Sequence, residues 1–400
     1  MINKIIILVI IAAILVIGFE FYLNWSHYNT EVLLQYQPEF GWSHLANHNF
    51  WYEGNLFSIN KDGFRDVNHL QEKPNDVTRL AFVGSHYLRG TNSALENIAT
   101  TILEKEWNKN YPNKKIEVFN FCIPKYNIEM AYFLIKKFSQ EYNIDYFIYV
   151  FDPQKDPSLV AGNDQTVNHA PALVFDENGT VKEKKDFTPI NGSATGIRSF
   201  KTYQFLRSSY NFLKKINQND NFSESGIAPD LFKPYPEVYF DDISTSTSEV
   251  IDRMAKVIDY TIDNSQSKVY ILMLPPQQSQ FFQEYEKSGN LDSFYQNQGF
   301  VAFIKRVQHM TIEDFMTEVL SFVKQVDNNH FAPGNLFIRL KSLVKNPNRL
   351  IEIDDEFLVY LEQPKAQGFL ENWHRRDSGQ SYLAKVLGEK VLPEILFDNN

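Results

Sequence analysis

Apolar residues fall into three patterns along this chain. The first is an unbroken run from Ile5 to Phe19, preceded by Met1-Ile2-Asn3-Lys4 and followed by Glu20, Phe21, Tyr22, Leu23, Asn24 and Trp25. The strict run is shorter than the roughly 20 residues that cross a bilayer core. Tilt, local thinning and the aromatic cluster Phe21-Tyr22-Trp25 at the interface make up the difference. A cleavable leader needs a small-x-small site after its apolar run, and Gly18-Phe19-Glu20-Phe21-Tyr22 offers none. The pattern predicts an uncleaved anchor over 1–25. The positive-inside rule puts Lys4 on the inner side and the remainder in the periplasm or at the outer surface.

The second pattern is a series of short runs that are apolar on both faces: Arg79 to Gly84, Ile116 to Phe121, Tyr146 to Phe151, Val269 to Leu274 and Leu350 to Ile353. Between and after them the spacing turns helical. Ser93 to Asn108 puts Leu95, Ile98 and Ile102 on one face, and Asn127 to Phe138 does the same with Ile128, Tyr132, Ile135 and Phe138. Glu249 to Ile262 and Gly379 to Ile395 complete the set. Strands of this kind, separated by helices, predict an α/β protein whose central parallel sheet is covered on both sides.

The third pattern is irregular. Residues 26–75 are rich in aromatic, Asn and Gly residues and read as a partly extended lead-in, with a turn at Asn60-Lys61-Asp62-Gly63. Two further stretches, about 152–247 and 277–349, interrupt the alternation and read as insertions, the second partly helical. The organisation expected is therefore an anchor (1–25), a lead-in (26–75) and an α/β domain (76–400) carrying both insertions.

Composition narrows the function. With 400 residues, of which 43% are apolar and 15% aromatic, the chain can bury a large core. A formal net charge of −10 repels phosphate backbones, so no nucleic-acid partner is expected. The single cysteine, Cys122, excludes an internal disulfide and any cysteine-pair metal or redox motif, and is expected to be a small buried apolar side chain. The chain has no Gly-x-Ser-x-Gly elbow, His-Glu-x-x-His, P-loop or Gly-x-Gly-x-x-Gly.

Open α/β sheets bind ligands outside the carboxyl ends of their strands. That rule points to the residues after Val83, Phe121, Phe151 and Leu274, and to the loop before the last helix. There the sequence resembles the bacterial SGNH, or GDSL-type, hydrolases. "GWSHLANHNF" (41–50) and "SINKDGFRD" (58–66) look like the family's lead-in, and "RLAFVG" (79–84) stands where its first strand meets the Gly-Asp-Ser nucleophile turn. "NKKIEVFNFCIPKYN" (113–127), "YFIYVFDPQKD" (146–156) and "ENWHRRDSGQSYLAKVL" (371–387) look like its second, third and terminal blocks. The resemblance implies a doubly wound α/β/α sandwich of SGNH/flavodoxin-like type.

In that family a Ser attacks an ester carbonyl, a His takes its proton, an acid three residues earlier orients the His, and a Gly and an Asn help bind the oxyanion. By this resemblance His374 is the base, Glu371 the orienting acid and Gly84 the turn glycine. Ser85 then occupies the Asp position and His86 the nucleophile position. Lys125 replaces the oxyanion Gly, and Gln154 or Lys155 falls where the Asn should stand. A nucleophile moved by one residue points the other way on a strand. The expected protein is therefore a membrane-anchored, hydrolase-like envelope protein with a degenerate site, binding an acylated polysaccharide or a partner protein. The alternative is an active carbohydrate esterase or O-acyltransferase with a rearranged Ser85-His374-Glu371 site. The family's single-pass members make a membrane-bound O-acyltransferase an expected partner. His86, His374 and Glu371 would also be a legitimate zinc or iron set, but nothing in their spacing demands it; neither a metal nor a cofactor is expected. Trp42 and Trp373 are candidates for stacking on a sugar ring, or are core aromatics.

Overall fold

The computed structural model describes residues 2–26, 34–52, 55–84, 86–91, 93–123, 126–151, 156–160, 170–176, 181–184, 200–217, 238, 241–274, 334–353 and 377–397. Helix α1 (Ile2–Trp25) is long and apolar enough to cross a membrane. After it the lead-in forms two antiparallel hairpins, β1 (Leu34–Gln37) with β2 (Gly41–His44) and β3 (Asn49–Tyr52) with β4 (Asn55–Ser58). Each strand has four residues, too few for alternation to register as a period, so the lead-in reads as irregular in sequence.

The expected parallel sheet has five strands: β5 (Val77–Gly84), β6 (Lys115–Cys122), β7 (Tyr146–Phe151), β10 (Lys268–Met273) and β11 (Leu350–Glu352), in the order β11-β10-β7-β5-β6. Two short strands outside it, β8 (Ala172–Phe175) and β9 (Val181–Lys184), pair antiparallel. Because successive side chains of a strand point to opposite faces, the buried sheet residues divide into two cores. Leu80, Phe82, Ile148, Val150, Leu272 and Ile351 face α2 (Ala99–Asn110), α8 (Asp377–Val386) and α9 (Leu392–Phe397). Ala81, Val83, Phe147, Tyr149, Ile271 and Met273 face α3 (Ile128–Tyr142), α6 (Thr245–Asp263) and α7 (Asn335–Leu343). Helices on both faces explain why these strands are apolar throughout.

Helix boundaries depart from the periodicity where a cap or a tertiary contact decides them. The helix expected from Ser93 starts only at Ala99. Leu95–Asn97 is a 3-10 turn, Ile98 is the extended residue before the helix, and the buried face is Ala99, Thr100, Leu103 and Trp107. The Ala99 N–H donates to Gln380 Oε1 at 2.7 Å, so a side chain from the far end of the chain fixes where this helix begins. Helix α6 starts four residues before the expected Glu249, because Ser244 caps it by accepting from Thr247 N. The last helix is interrupted by a π-helical segment, Leu387–Val391. Within the 152–247 stretch the described residues include α4 (Asp156–Val160) and α5 (Lys201–Asn217) as well as the β8–β9 hairpin. That hairpin is fixed to α3 by Glu183, which accepts from Tyr132 Oη at 2.8 Å and pairs with Lys136.

Candidate functional site at the carboxyl end of β5

In the order β6-β5-β7-β10-β11 the chain steps from β5 to one side for β6 and to the other for β7. The carboxyl ends of β5 and β7 therefore flank the point where the winding reverses, the usual ligand position of such sheets. Gly84 closes β5 there, paired with Val150 and Cys122. Its φ is +136°, a conformation that side-chain-bearing residues rarely adopt, and a Cβ would collide with the Val150 carbonyl oxygen. The close approach of β7 thus requires glycine here, at the position that the resemblance gives to the turn glycine.

Beyond Gly84 the chain runs through a 3-10 turn, His86–Arg89. The carbonyls of this turn and of the residues flanking it are held from separate parts of the sequence. Ile123 N donates to Gly84 O at 3.0 Å. Gln380, fully buried on α8, donates to Tyr87 O at 2.9 Å through Nε2 while its Oε1 receives the Ala99 N–H. Asn120 Nδ2 on β6 donates to Leu88 O at 3.0 Å. Arg65, in the lead-in, spends its guanidinium on the carbonyls of Arg89 at 2.7 Å, Gly90 and Ser93. Gly90 has a φ of +53°, and a Cβ on it would press into Ile98 and Gln380.

Two guanidinium groups and an imidazole share this region. Arg65 and Arg89 lie over the Phe57 ring, at 4.3 and 5.4 Å from its centroid, and His44 meets the same ring edge-on at 5.8 Å. Burial, then the neighbouring Arg89 charge, lowers the Arg65 pKa to about 9 against the opposing pull of Asp377 and Glu96. Burial, then the charges of Arg89 and Arg65, holds the His44 pKa well below its ordinary value, so the ring is neutral. Neither ring nitrogen of His44 has a hydrogen-bond partner among the described residues.

Of the residues that the resemblance assigns to the site, only Gly84 is fully described. His86 is placed through its backbone at the start of the 3-10 turn. Ser85, Lys125, Gln154, Lys155, Glu371 and His374 lie outside the described residues, as do the side chain of His86 and the whole of Trp373. Trp42 is a core residue, buried edge-on against Tyr126 at 5.7 Å, and is not a platform for a sugar. Cys122 is buried and free, as expected, and burial together with the Asp66 charge raises its pKa, so it stays a thiol. Among the described residues no group of three His, Cys, Asp or Glu could hold a metal ion.

The residues that sequence reasoning missed are the ones that shape the turn: Arg65, Arg89, Asn120 and Gln380. Their partners are mostly backbone carbonyls or aromatic rings, which leave no spacing rule in the sequence. Arg65 stands in "GFRD", which gave no sign of its burial; once buried, its guanidinium needs acceptors in the interior.

A second polar cluster ties the lead-in to the edge strand β6. His69 lies between Asp66 Oδ2 (3.0 Å) and Glu117 Oε1 (2.7 Å) and stacks on Phe119 at 3.8 Å. Burial opposes its protonation, but the hydrogen bonds to Asp66 and Glu117 outweigh it and raise its pKa to about 9. Glu117 also pairs with the buried Arg79 at 2.7 Å, and Asp66 accepts from Asn120 N at 2.7 Å. The network that carries the lead-in thus reaches, through Asn120, the turn after β5.

Comparison of the chain with protein-family models, with curated proteins and with solved structures finds no match in any of the three.

Proposed function

We propose that this is a membrane-anchored, SGNH-like protein of a bacterial envelope, with the doubly wound sandwich of that family and a site that binds without hydrolysing. On this reading α1 crosses the membrane with Lys4 inside and the α/β domain outside, and the cleft at the carboxyl end of β5 takes an acylated polysaccharide. A membrane-bound O-acyltransferase is the partner that would supply or consume such a ligand.

The observation that carries the reading is the clamped turn. The carbonyls of Tyr87, Leu88, Arg89, Gly90 and Ser93 are all bound by the side chains of Gln380, Asn120 and Arg65. A rigid turn at the switch point is suited to a preformed ligand site. The same rigidity counts against remodelling that would bring Ser85 into the place of His86, and a misplacement of about 1 Å costs on the order of a hundredfold in rate. Loss of a single oxyanion donor raises a barrier by a further ~3–4 kcal/mol.

One observation favours the active alternative. Gln380 stands six residues after His374 in sequence and is bonded to the Tyr87 carbonyl, so the terminal block enters α8 against the turn that follows Ser85. A Ser85-His374-Glu371 site would need this proximity. The two readings separate on the full-length protein in detergent, treated with a fluorophosphonate probe and assayed on nitrophenyl acetate. The binding reading expects neither labelling nor turnover, with retention of an acetylated polysaccharide that weakens in His86→Ala. Labelling that disappears in Ser85→Ala would overturn it.

A further inference from the structure

Helix α5 meets the membrane helix near its exit. Glu20 of α1 accepts from the N–H groups of Lys201 (3.0 Å) and Thr202 (2.7 Å) and from Thr202 Oγ1 (2.8 Å). One helix thereby caps the other, with a carboxylate placed on the unpaired donors and positive dipole end of α5. One turn further along α5, Phe205 packs edge-on against Phe19 at 5.3 Å. Phe19 is deeper in the apolar run than Glu20, so the first two turns of α5 stay at the level where α1 leaves the bilayer. By helix rise that level is about 24 Å from Lys4, against a hydrocarbon core of about 30 Å.

Among the described residues, nothing covers one side of α5 near its start. Leu206 and Tyr210, four residues apart and therefore on one face, are 59% and 66% exposed, and Phe200 before the helix is 54% exposed. Tyr22 and Trp25, on α1 at the same level, are exposed as well. Soluble surfaces rarely present such a group of large apolar side chains together, whereas Trp, Tyr and amphipathic helices are characteristic of the bilayer boundary.

We propose that α5 is a second membrane contact, lying in the headgroup layer beside α1 with Phe200, Leu206 and Tyr210 among the lipids. This rests on the reading of α1 as a membrane crossing. It gives α5 a function: a single helix leaves the attached domain free to swivel, and a second, crosswise contact fixes its orientation, so that the cleft after β5 keeps a set height and direction over the bilayer.

The test uses the full-length protein in nanodiscs of phosphatidylethanolamine and phosphatidylglycerol, with a nitroxide on Leu206→Cys or Tyr210→Cys. Native Cys122 is buried and does not compete for the label. Ile10→Cys reports the span, and Leu70→Cys, at an exposed lead-in position, reports water. Collisions with oxygen relative to a water-soluble nickel chelate should be several-fold higher at 206 and 210 than at 70, and lower than at 10. Labels at 206 and 210 that behave like 70 while 10 is lipid-embedded would overturn this proposal and leave the anchor standing. A label at 10 that behaves like 70 would overturn both.

Discussion

Replacing Gly84 by alanine would set a Cβ against the Val150 carbonyl at a φ of +136°. Strain at such a position plus the displaced β5–β7 pairing should cost about 2 kcal/mol or more, read as a lower urea midpoint for Gly84→Ala with an unchanged slope. His69 makes a pH-dependent contribution. Its folded pKa of about 9 lies above the ordinary 6.5, so the stabilisation is complete below about pH 6.5 and is lost as pH rises through 9. The shift corresponds to a contribution on the order of 3 kcal/mol. The melting temperature should fall between pH 7 and 10 in the native protein, and His69→Gln should remove most of that slope. Gly84 was legible in the sequence because the resemblance places a turn glycine at the end of the first apolar strand. Arg65 and His69 were not, because their roles depend on which carbonyls and carboxylates the fold brings to them.

At the scale of elements, the strands of the central sheet were legible and the hairpins before it were not. Tyr146–Phe151 is an apolar run bounded on both sides, and it forms a strand with those bounds. The four-residue strands β1 to β4 have no such signature. The start of α2 shows the limit from the other side: the apolar spacing from Leu95 is helical, but Gln380 takes the Ala99 N–H and moves the start. That contact gives an element-scale prediction. Gln380→Ala leaves the buried Ala99 N–H and Tyr87 carbonyl without this partner, at about 1–3 kcal/mol. Amide exchange at residues 87–90 and 99–101 should accelerate together, whereas a purely local effect in α8 would leave the turn protected.

The molecule as a whole is read as an anchor with an α/β domain attached, and the two parts differ in how far sequence determines them. The parallel sheet with helices on both faces was expected from periodicity and is present. The candidate site was legible only as a place, the carboxyl end of β5, because the side chains that hold its turn bind backbone carbonyls that only the fold brings to them. For the anchor, full-length protein should stay with the membrane pellet after an alkaline carbonate wash. A chain lacking residues 1–25 should move largely to the supernatant, with any remainder depending on Leu206 and Tyr210.

On the proposed reading the terminal block carrying His374 faces the turn that carries His86. A short bismaleimide applied to the His86→Cys, His374→Cys double variant tests it most directly, with Lys73→Cys, His374→Cys as a control, because Lys73 lies at the opposite end of the sheet beside Asp145. An internal cross-link, seen as a faster band on a denaturing gel, is expected in the first pair and not in the second. A cross-link in the control pair only, or in neither, would place the two imidazoles apart and contradict it.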